Sequence, residues 1–474
     1  MSLRLLHVID SLDPAHGGPS VVCASLAAAQ ASLGHEVAIV AYDTAGQRPR
    51  IDAMLADLPG ADFLDLDLLP RPARGPAALL ASAARRRLRG AVADADAVIL
   101  HGVWDRILLA GAGAARRAGV PYAVIPHGML RPWSLSQKRL KKRASLLLVT
   151  RRMLNAAAFL HALNADEAAA FARLGLRPPV EVIPNGVFLE QVDPLPAPGT
   201  FHAAHPALEG RPYVLFLGRL HYTKGLDVLA QAFSILTASP SAPTSPAARS
   251  SIAAPTSPAA RSSPSAPSEG VARGSASAGG GSTGPAPSDL HLVIAGPDGG
   301  YRSELEARVH RLGLAGRVHL VGPIYGRDKF AALRDALCFC LPSRTEGFSV
   351  AVLEALASSC PVVISEHCHF PEVTASGAGV AAPLDPGAIA AGIARFLDPA
   401  ERARAGAGGR AMVERDYTWP RIAQRSVEAC RRHAPPRARA RAPAPTTRRA
   451  GRDADPGPPP TPPPPTPSPS TPAG

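Results

Sequence analysis

The sequence predicts an α/β protein of two halves, each built on a parallel sheet, with a low-complexity insert in the second half and a low-complexity tail. Three observations carry this. Apolar runs of strand length recur along the chain and end in loops rich in Gly, Pro and His. Ala/Leu-rich stretches of helical length lie between them, so the alternation is strand–helix–strand. A Pro- and Gly-containing segment, Phe188–Gly210, separates one series from the other.

Residues 3–9 (LRLLHVI) open the first series as a buried strand. A loop, Asp10–Ser20 (DSLDPAHGGPS), leads into an Ala/Leu helix that runs to Leu33, where Gly34 ends it. Val37–Tyr42 is the next strand, followed by strands at Ala97–Leu100, Tyr122–Ile125, Phe159–Leu163 and Val180–Ile183. The second series starts at Tyr213–Leu217 (YVLFL) and passes through a helix over 225–237. Strands at Leu290–Ala295, Val318–Val321, Leu337–Leu341 and Pro361–Ile364 follow, with helices at 301–312, 327–336 and 348–358 between them. The domains are therefore expected at 1–190 and 205–430, with a last helix at about 412–430 crossing back to the first.

The 474 residues allow two domains of ordinary size once the biased segments are set aside. Residues 238–288 are Ser/Pro/Ala/Gly text in which APTSPAARSS occurs at both Ala242–Ser251 and Ala254–Ser263. Such a segment lacks the aromatic and periodic apolar residues needed to offset its ordering entropy, and it is expected to be disordered. Residues 431–474 are Arg/Pro/Thr text ending in a polyproline-like run, also expected to be disordered. The formal charge of +13 sits partly in these segments, since the tail alone holds eight arginines against Asp453 and Asp455. Aromatic residues are not interleaved with the tail arginines, which argues against a nucleic-acid binder. The 6 cysteines show no C-x-x-C and read as buried reduced thiols of a cytoplasmic protein. No secretory signal and no apolar run of spanning length is present in the sequence.

In open parallel sheets, ligands bind beyond the carboxyl ends of the strands, and the chemically suggestive residues fall there. Gly17-Gly18 follows the first strand and precedes a helix, where backbone N–H groups can approach a phosphate. The fuller G-x-G-x-x-G fingerprint is absent, which argues against a nicotinamide enzyme. Arg219 and Lys224 follow the Tyr213–Leu217 strand, and two cations there can neutralise a leaving diphosphate without a metal. Glu346 and Glu354 flank a helix start eight residues apart, a spacing that puts them on nearly one helical face, with Ser349 offering N–H groups between them. His127, in Pro126-His127-Gly128, ends an apolar strand at the mouth of the same cleft, and His101 with Trp104 forms a similar strand-end cluster. No His/Asp/Glu set has metal-ligand spacing, so no metal and no resident cofactor are expected.

These residues resemble a GT-B-fold retaining glycosyltransferase of the large group called family four. The resemblance rests on Gly17-Gly18, Gly34-His35-Glu36-Val37, Val182–Val187 (VIPNGV), Gly218-Arg219 with Lys224-Gly225, and Glu346 with Glu354. Pro126–Trp133 (PHGMLRPW), followed by Lys138–Arg143, is similar to bacterial members that build surface polysaccharides. The resemblance implies two facing Rossmann-like domains and metal-independent transfer of a sugar, with retention, from a nucleotide-diphosphate donor to a glycan or lipid-linked acceptor. By position it implies that Arg219 and Lys224 hold the donor diphosphate, with Gly17 and Gly18 beneath it. Glu354 would bind the ribose, Glu346 and His127 would meet the donor sugar, and Gly322 and Ile324 would lie near the base. His101, Trp104 and Trp133 fall on the acceptor side. The insert departs from the family pattern, as does Asn164, and neither is expected to touch the site.

A sugar-nucleotide epimerase of the same fold is the alternative enzyme reading; it would convert the donor with no acceptor present. A further expected partner is an anionic membrane surface, because Arg85–Arg89 and Lys138–Arg143 concentrate positive charge in the first half, the latter directly after Trp133. The expected location is cytoplasmic and peripheral on the inner membrane.

Overall fold

Thirteen strands form two parallel sheets in a computed structural model that describes residues 1–44, 46–71, 82–137, 139–238 and 284–433. The first sheet comprises β1 (Arg4–Ile9), β2 (Glu36–Asp43), β3 (Leu64–Pro70), β4 (Ala97–His101), β5 (Tyr122–Ile125), β6 (Phe159–Ala162) and β7 (Val180–Val182). Their order is β3-β2-β1-β4-β5-β6-β7. The second comprises β8 (Tyr213–Leu217), β9 (His291–Ala295), β10 (Val318–Gly322), β11 (Cys338–Leu341), β12 (Val362–Ser365) and β13 (Gly379–Ala382), in the order β10-β9-β8-β11-β12-β13. Parallel neighbours require long crossovers, and helices such as Gly18–Ser32, Arg106–Ala118 and Leu226–Ala238 supply them. The order reverses between β1 and β4 in one sheet and between β8 and β11 in the other, so each sheet opens a crevice at that point.

The central strands read as unbroken apolar runs because both their faces are covered, and β8 (YVLFL) is buried at every position. The two strands missed by sequence are edge strands. Residues 64–70 alternate Leu with Asp, as befits a half-wet edge, and Gly379–Ala382 (GVAA) has little β propensity of its own. The expected helix at about 412–430 is two helices, Pro399–Asp416 and Trp419–His433. They break at Tyr417–Thr418, where the chain pairs with Val187. The last helix therefore continues past 430, and Arg432 and His433 reach Glu181 at 2.5 and 2.6 Å. The insert also ends earlier than residue 288. Pro287–Asp289 is a 3₁₀ turn, and a Cβ on Gly284 would meet the Leu397 carbonyl at 1.8 Å, so this stretch lies hard against the second half. The expectations for 239–283 and 434–474 fall outside the described residues.

Each half has its own core, but the chain closes them onto each other. Trp419, Ile422, Val427 and Cys430 of the last helix are buried with Val22, Leu26 and Phe188 on one face of the first sheet. Val187 N–H donates to Tyr417 O at 2.9 Å and Trp419 N–H to Val187 O at 3.0 Å. A Cβ on Gly186 would stand 2.8 Å from Trp419 N, so only glycine permits this crossing. The bidentate Arg410–Asp193 pair, at 2.6 and 3.1 Å, braces it from the side. All 6 cysteines are buried and unpaired, and burial raises the thiol pKa of each of them.

A polar thread runs through the apolar interior of the first half. Gln30 Oε1 bonds His7 Nε2 at 2.7 Å, His7 Nδ1 bonds His101 Nε2 at 2.9 Å, and His101 Nδ1 bonds His127 Nε2 at 3.0 Å. His161 stands nearby, its Nε2 bonded to Ile183 O at 2.7 Å. Burial disfavours the imidazolium in all four: His7 and His161 drop to about 4, His127 to about 3, and His101 well below its usual value. Each native ring therefore binds its proton less readily than the unfolded ring, which titrates near about 6.5. Stability from this source is complete above that value and is lost as the pH falls toward 4. The melting temperature of the full chain is expected to drop steeply between pH 6.5 and 4, and less steeply in His161→Asn. A flat profile across that window would contradict neutral burial of these rings.

Candidate active site

Loops at the carboxyl ends of both sheets meet, and glycines make the approach possible. Gly17 closes the β1 loop at φ 106°, and a Cβ there would stand 3.1 Å from Arg219 Nη2, on the loop after β8. His127 follows β5 at φ 53°, a strained conformation for a non-glycine residue, and Gly128 repeats it at φ 75°. This doublet turns the chain so sharply that a Cβ on Gly128 would lie 3.2 Å from Gly347 Cα, beyond β11. Gly128 N–H donates to the buried Glu167 carboxylate at 2.6 Å, which also accepts from Leu163 N–H at 2.8 Å. Asn164 caps the helix Ala165–Arg173 with its Oδ1 and donates from Nδ2 to Gly347 O at 2.7 Å. Asn164 thus touches the loop that carries Glu346, contrary to the sequence expectation.

On the second half, Gly218 ends β8, Arg219 follows it, and a 3₁₀ turn, Tyr222–Lys224, delivers Lys224 to Glu346 at 2.5 Å. Ser343 Oγ donates to the same carboxylate oxygen at 2.6 Å, and Glu346 is 9% exposed. Glu354 instead meets Lys329 Nζ at 2.7 Å. The shared helical face foreseen for the two glutamates is not what forms. Their helix begins only at Val350, so Glu346 sits in the preceding loop, its N–H bonded to His367 O at 3.2 Å, and each carboxylate has its own lysine. Ser349 occupies the N-cap position of that helix without capping it by its side chain. Arg219 is exposed and has no carboxylate partner among the described residues.

The structure thus brings Gly17, His127, Arg219, Lys224 and Glu346 to contacting loops. Gly18 lies beside Gly17 with open space where a Cβ would go. Gly322 ends β10 at φ 80°, and Ile324 packs against the core of the second half. His101 is corrected: it is 2% exposed with both ring nitrogens bonded, because β4 points it inward between His7 and His127, so no acceptor can reach it. Trp104 is half-buried against the first core, with Lys142 Nζ 5.5 Å from its ring centre, while Trp133 is 42% exposed on the short helix Pro132–Ser136.

Sequence reasoning passed over several neighbours. Lys329 gave no motif signal. Arg344 makes a two-pronged pair with Asp227 at 2.7 and 2.8 Å and covers the Tyr222 ring, fixing the turn that bears Lys224. Arg131, inside the His-Gly-Met-Leu-Arg stretch, is buried against Asp166 at 3.0 Å, with its Nε and Nη1 unpartnered. The one set of residues among those described that could hold an ion is His7, Cys23 and His101, whose ligand atoms lie within 4.8 Å of one another. Their wide separation in sequence hid them.

Comparison with known proteins matches this architecture half by half. Residues 17–186 match the sequence model of the Glycosyl transferase 4-like domain, and residues 286–412 match that of Glycosyl transferases group 1. The chain is 32% identical over 126 residues to the MMP alpha-(1->4)-mannosyltransferase of Mycolicibacterium hassiacum, covering 26% of this chain and 31% of that protein. It is 25% identical over 335 residues to the D-inositol 3-phosphate glycosyltransferase of Streptomyces griseus, covering 66% and 62%. These matches span between about a third and three fifths of the curated relatives' lengths. Among solved structures, Anabaena Alr3699/HepE in complex with UDP and glucose has the same fold at a TM-score of 0.65 and 17% identity, covering 90% of this chain and 98% of that one. The epimerase alternative finds no support in these relatives. Two matched domains in this order, on two parallel sheets whose strand-end loops meet, show that the chain belongs to the GT-B-fold glycosyltransferases of the family-four type.

Proposed function

We propose that the protein transfers a hexosyl group from a nucleotide-diphosphate sugar to a glycan or lipid-linked acceptor, with retention and without a metal. The observation that carries this is the convergence of Gly17, Arg219 and Lys224. The Gly17 backbone faces Arg219 at the junction of the two halves, and Lys224 follows five residues later on the turn after β8, where a diphosphate would meet N–H groups and positive charge together. Complexes of the Anabaena protein with UDP and glucose, and the mannosyltransferases among the relatives, support a nucleotide-sugar donor. In this reading Lys224 is held ready by Glu346 and turns to the diphosphate as charge grows on the leaving group. Arg219 supplies the second cation. Glu354 takes the ribose hydroxyls, exchanging its bond to Lys329 for them. Ser349 and the first N–H groups of its helix bind donor oxygens, Gly322 and Ile324 flank the base, and His127 borders the sugar.

Losing a charged group at the leaving diphosphate commonly costs roughly 3 kcal/mol, or about 100-fold in rate. Arg219→Ala and Lys224→Ala are each expected to lower kcat/KM by about that factor in a nucleoside-diphosphate release assay run with a panel of nucleotide-sugars. Near-native values in both folded variants would refute the donor site. The same assay in EDTA is expected to keep its rate; loss of activity that added Mn²⁺ restores would overturn the cation-pair account.

The acceptor reading includes reversible attachment to an anionic membrane surface. Among the described residues no helix is long and apolar enough to cross a membrane. Residues 132–137 and 139–150 nevertheless expose Trp133, Leu140, Leu147, Leu148 and Val149 beside Arg139, Lys141 and Arg143, while Lys138 of the expected basic cluster lies outside the described residues. Apolar side chains next to cations suit a headgroup layer. The second basic cluster is weaker than its sequence suggests, since Arg87 is paired with Asp67. A chain ending at His433 is expected to sediment with anionic but not neutral liposomes, to detach as salt approaches about 0.5 M, and to bind less after Leu147→Ser with Leu148→Ser. Equal sedimentation with both liposome types, or none at low salt, would refute the attachment.

A further inference from the structure

The histidine thread has a direction. Gln30 Nε2 donates to Ser426 Oγ at 3.2 Å, and its Oε1 faces His7 Nε2 at 2.7 Å. An amide oxygen has no hydrogen to give, so His7 must donate from Nε2. A neutral imidazole carries one N–H, so His7 Nδ1 accepts, and it accepts from His101 Nε2–H at 2.9 Å. The same rule makes His101 Nδ1 the acceptor for His127 Nε2–H at 3.0 Å. A second proton on any inner ring would set N–H against N–H, and His7 and His101, at 0% and 2% exposure, have no water to relieve it.

We propose that Gln30, His7 and His101 are positioning residues that lock His127 in its Nε2-protonated tautomer, leaving Nδ1 as an acceptor only. Under the glycosyltransferase reading, on which this role rests, such a nitrogen takes a hydrogen bond from a sugar hydroxyl and refuses a carbonyl oxygen. Ser426, the other partner of the Gln30 amide, lies on the helix Trp419–His433, so the closing helix of the chain holds the start of the relay in place. The trio of His7, Cys23 and His101 offers the competing use of the same rings, as metal ligands. That use would require ring nitrogens already engaged in the relay.

The test is two-bond ¹H–¹⁵N spectroscopy of the full, ligand-free chain labelled at histidine, with His127 assigned by loss of its signals in His127→Gln. The expected spectrum shows His127 protonated at Nε2 with a bare Nδ1. In Gln30→Leu, and more mildly in Ser426→Ala, the tautomer ratio of His127 should fall toward one. His161, whose Nε2–H is held independently by Ile183 O, should keep its tautomer and so report an intact fold. A wild-type His127 protonated at Nδ1 would overturn the proposal without any variant. An unchanged ratio in folded Gln30→Leu and Ser426→Ala would also overturn it, as would one equivalent of zinc held by the purified protein through His7 and His101. A correct tautomer in a protein that turns over no nucleotide-sugar would sink the enzymatic reading and leave the relay standing.

Discussion

A Cβ on Gly128 would stand 3.2 Å from Gly347 Cα, and that near-contact of two backbones sets the spacing of everything around it. Each glycine neighbours a residue with a proposed part in the chemistry, His127 on one side and Glu346 on the other. A bulkier pair would hold the strand ends apart, and Arg219 would no longer reach the Gly17 turn. Asn164 and Glu167 serve the same approach, one by bonding Gly347 O across the junction and the other by holding Gly128 N–H. Small residues here are thus a condition of function, since hydrogen bonds and ion pairs lose strength steeply with an added ångström.

The charges at the junction are paired in advance. Lys224 with Glu346, Lys329 with Glu354, and Arg344 with Asp227 each put a cation within 2.8 Å of a carboxylate. Partly buried ions left alone would carry a desolvation cost, which these three pairs offset, whereas the exposed Arg219 stays in contact with solvent. In the proposed function, a diphosphate and a ribose would exchange one set of partners for another. Arg344 stands apart from this exchange: its bidentate grip on Asp227 and its stacking on Tyr222 hold the turn itself.

Much of the frame was legible because central parallel strands must be apolar on both faces. The bounds of β5 and β8 follow from YAVI and YVLFL alone. Edge strands escape that logic, as LDLDLLP and GVAA show. At the site, residues that end strands stand out in sequence, so Arg219, Lys224 and His127 could be picked by position. The contacts of Lys329, Asn164 and Arg131 could not, because their partners Glu354, Gly347 and Asp166 lie on segments distant in sequence. The helical spacing of Glu346 and Glu354 misled for a related reason. Spacing predicts a common face only inside a helix, and Glu346 lies before the helix begins.

The last helix packs on the first sheet, which has a bearing on how the protein is made. Val22, Leu26 and Phe188 emerge from the ribosome long before Trp419, Ile422 and Val427, the residues that cover them. At a synthesis rate of roughly 5–20 residues per second, the wait is on the order of 10–80 s. During that interval the nascent first half carries a bare apolar face beside Gln30, whose Ser426 partner does not yet exist. A chain lacking everything from Trp419 onward would leave that apolar face uncovered for good, the kind of exposed patch that favours association between copies.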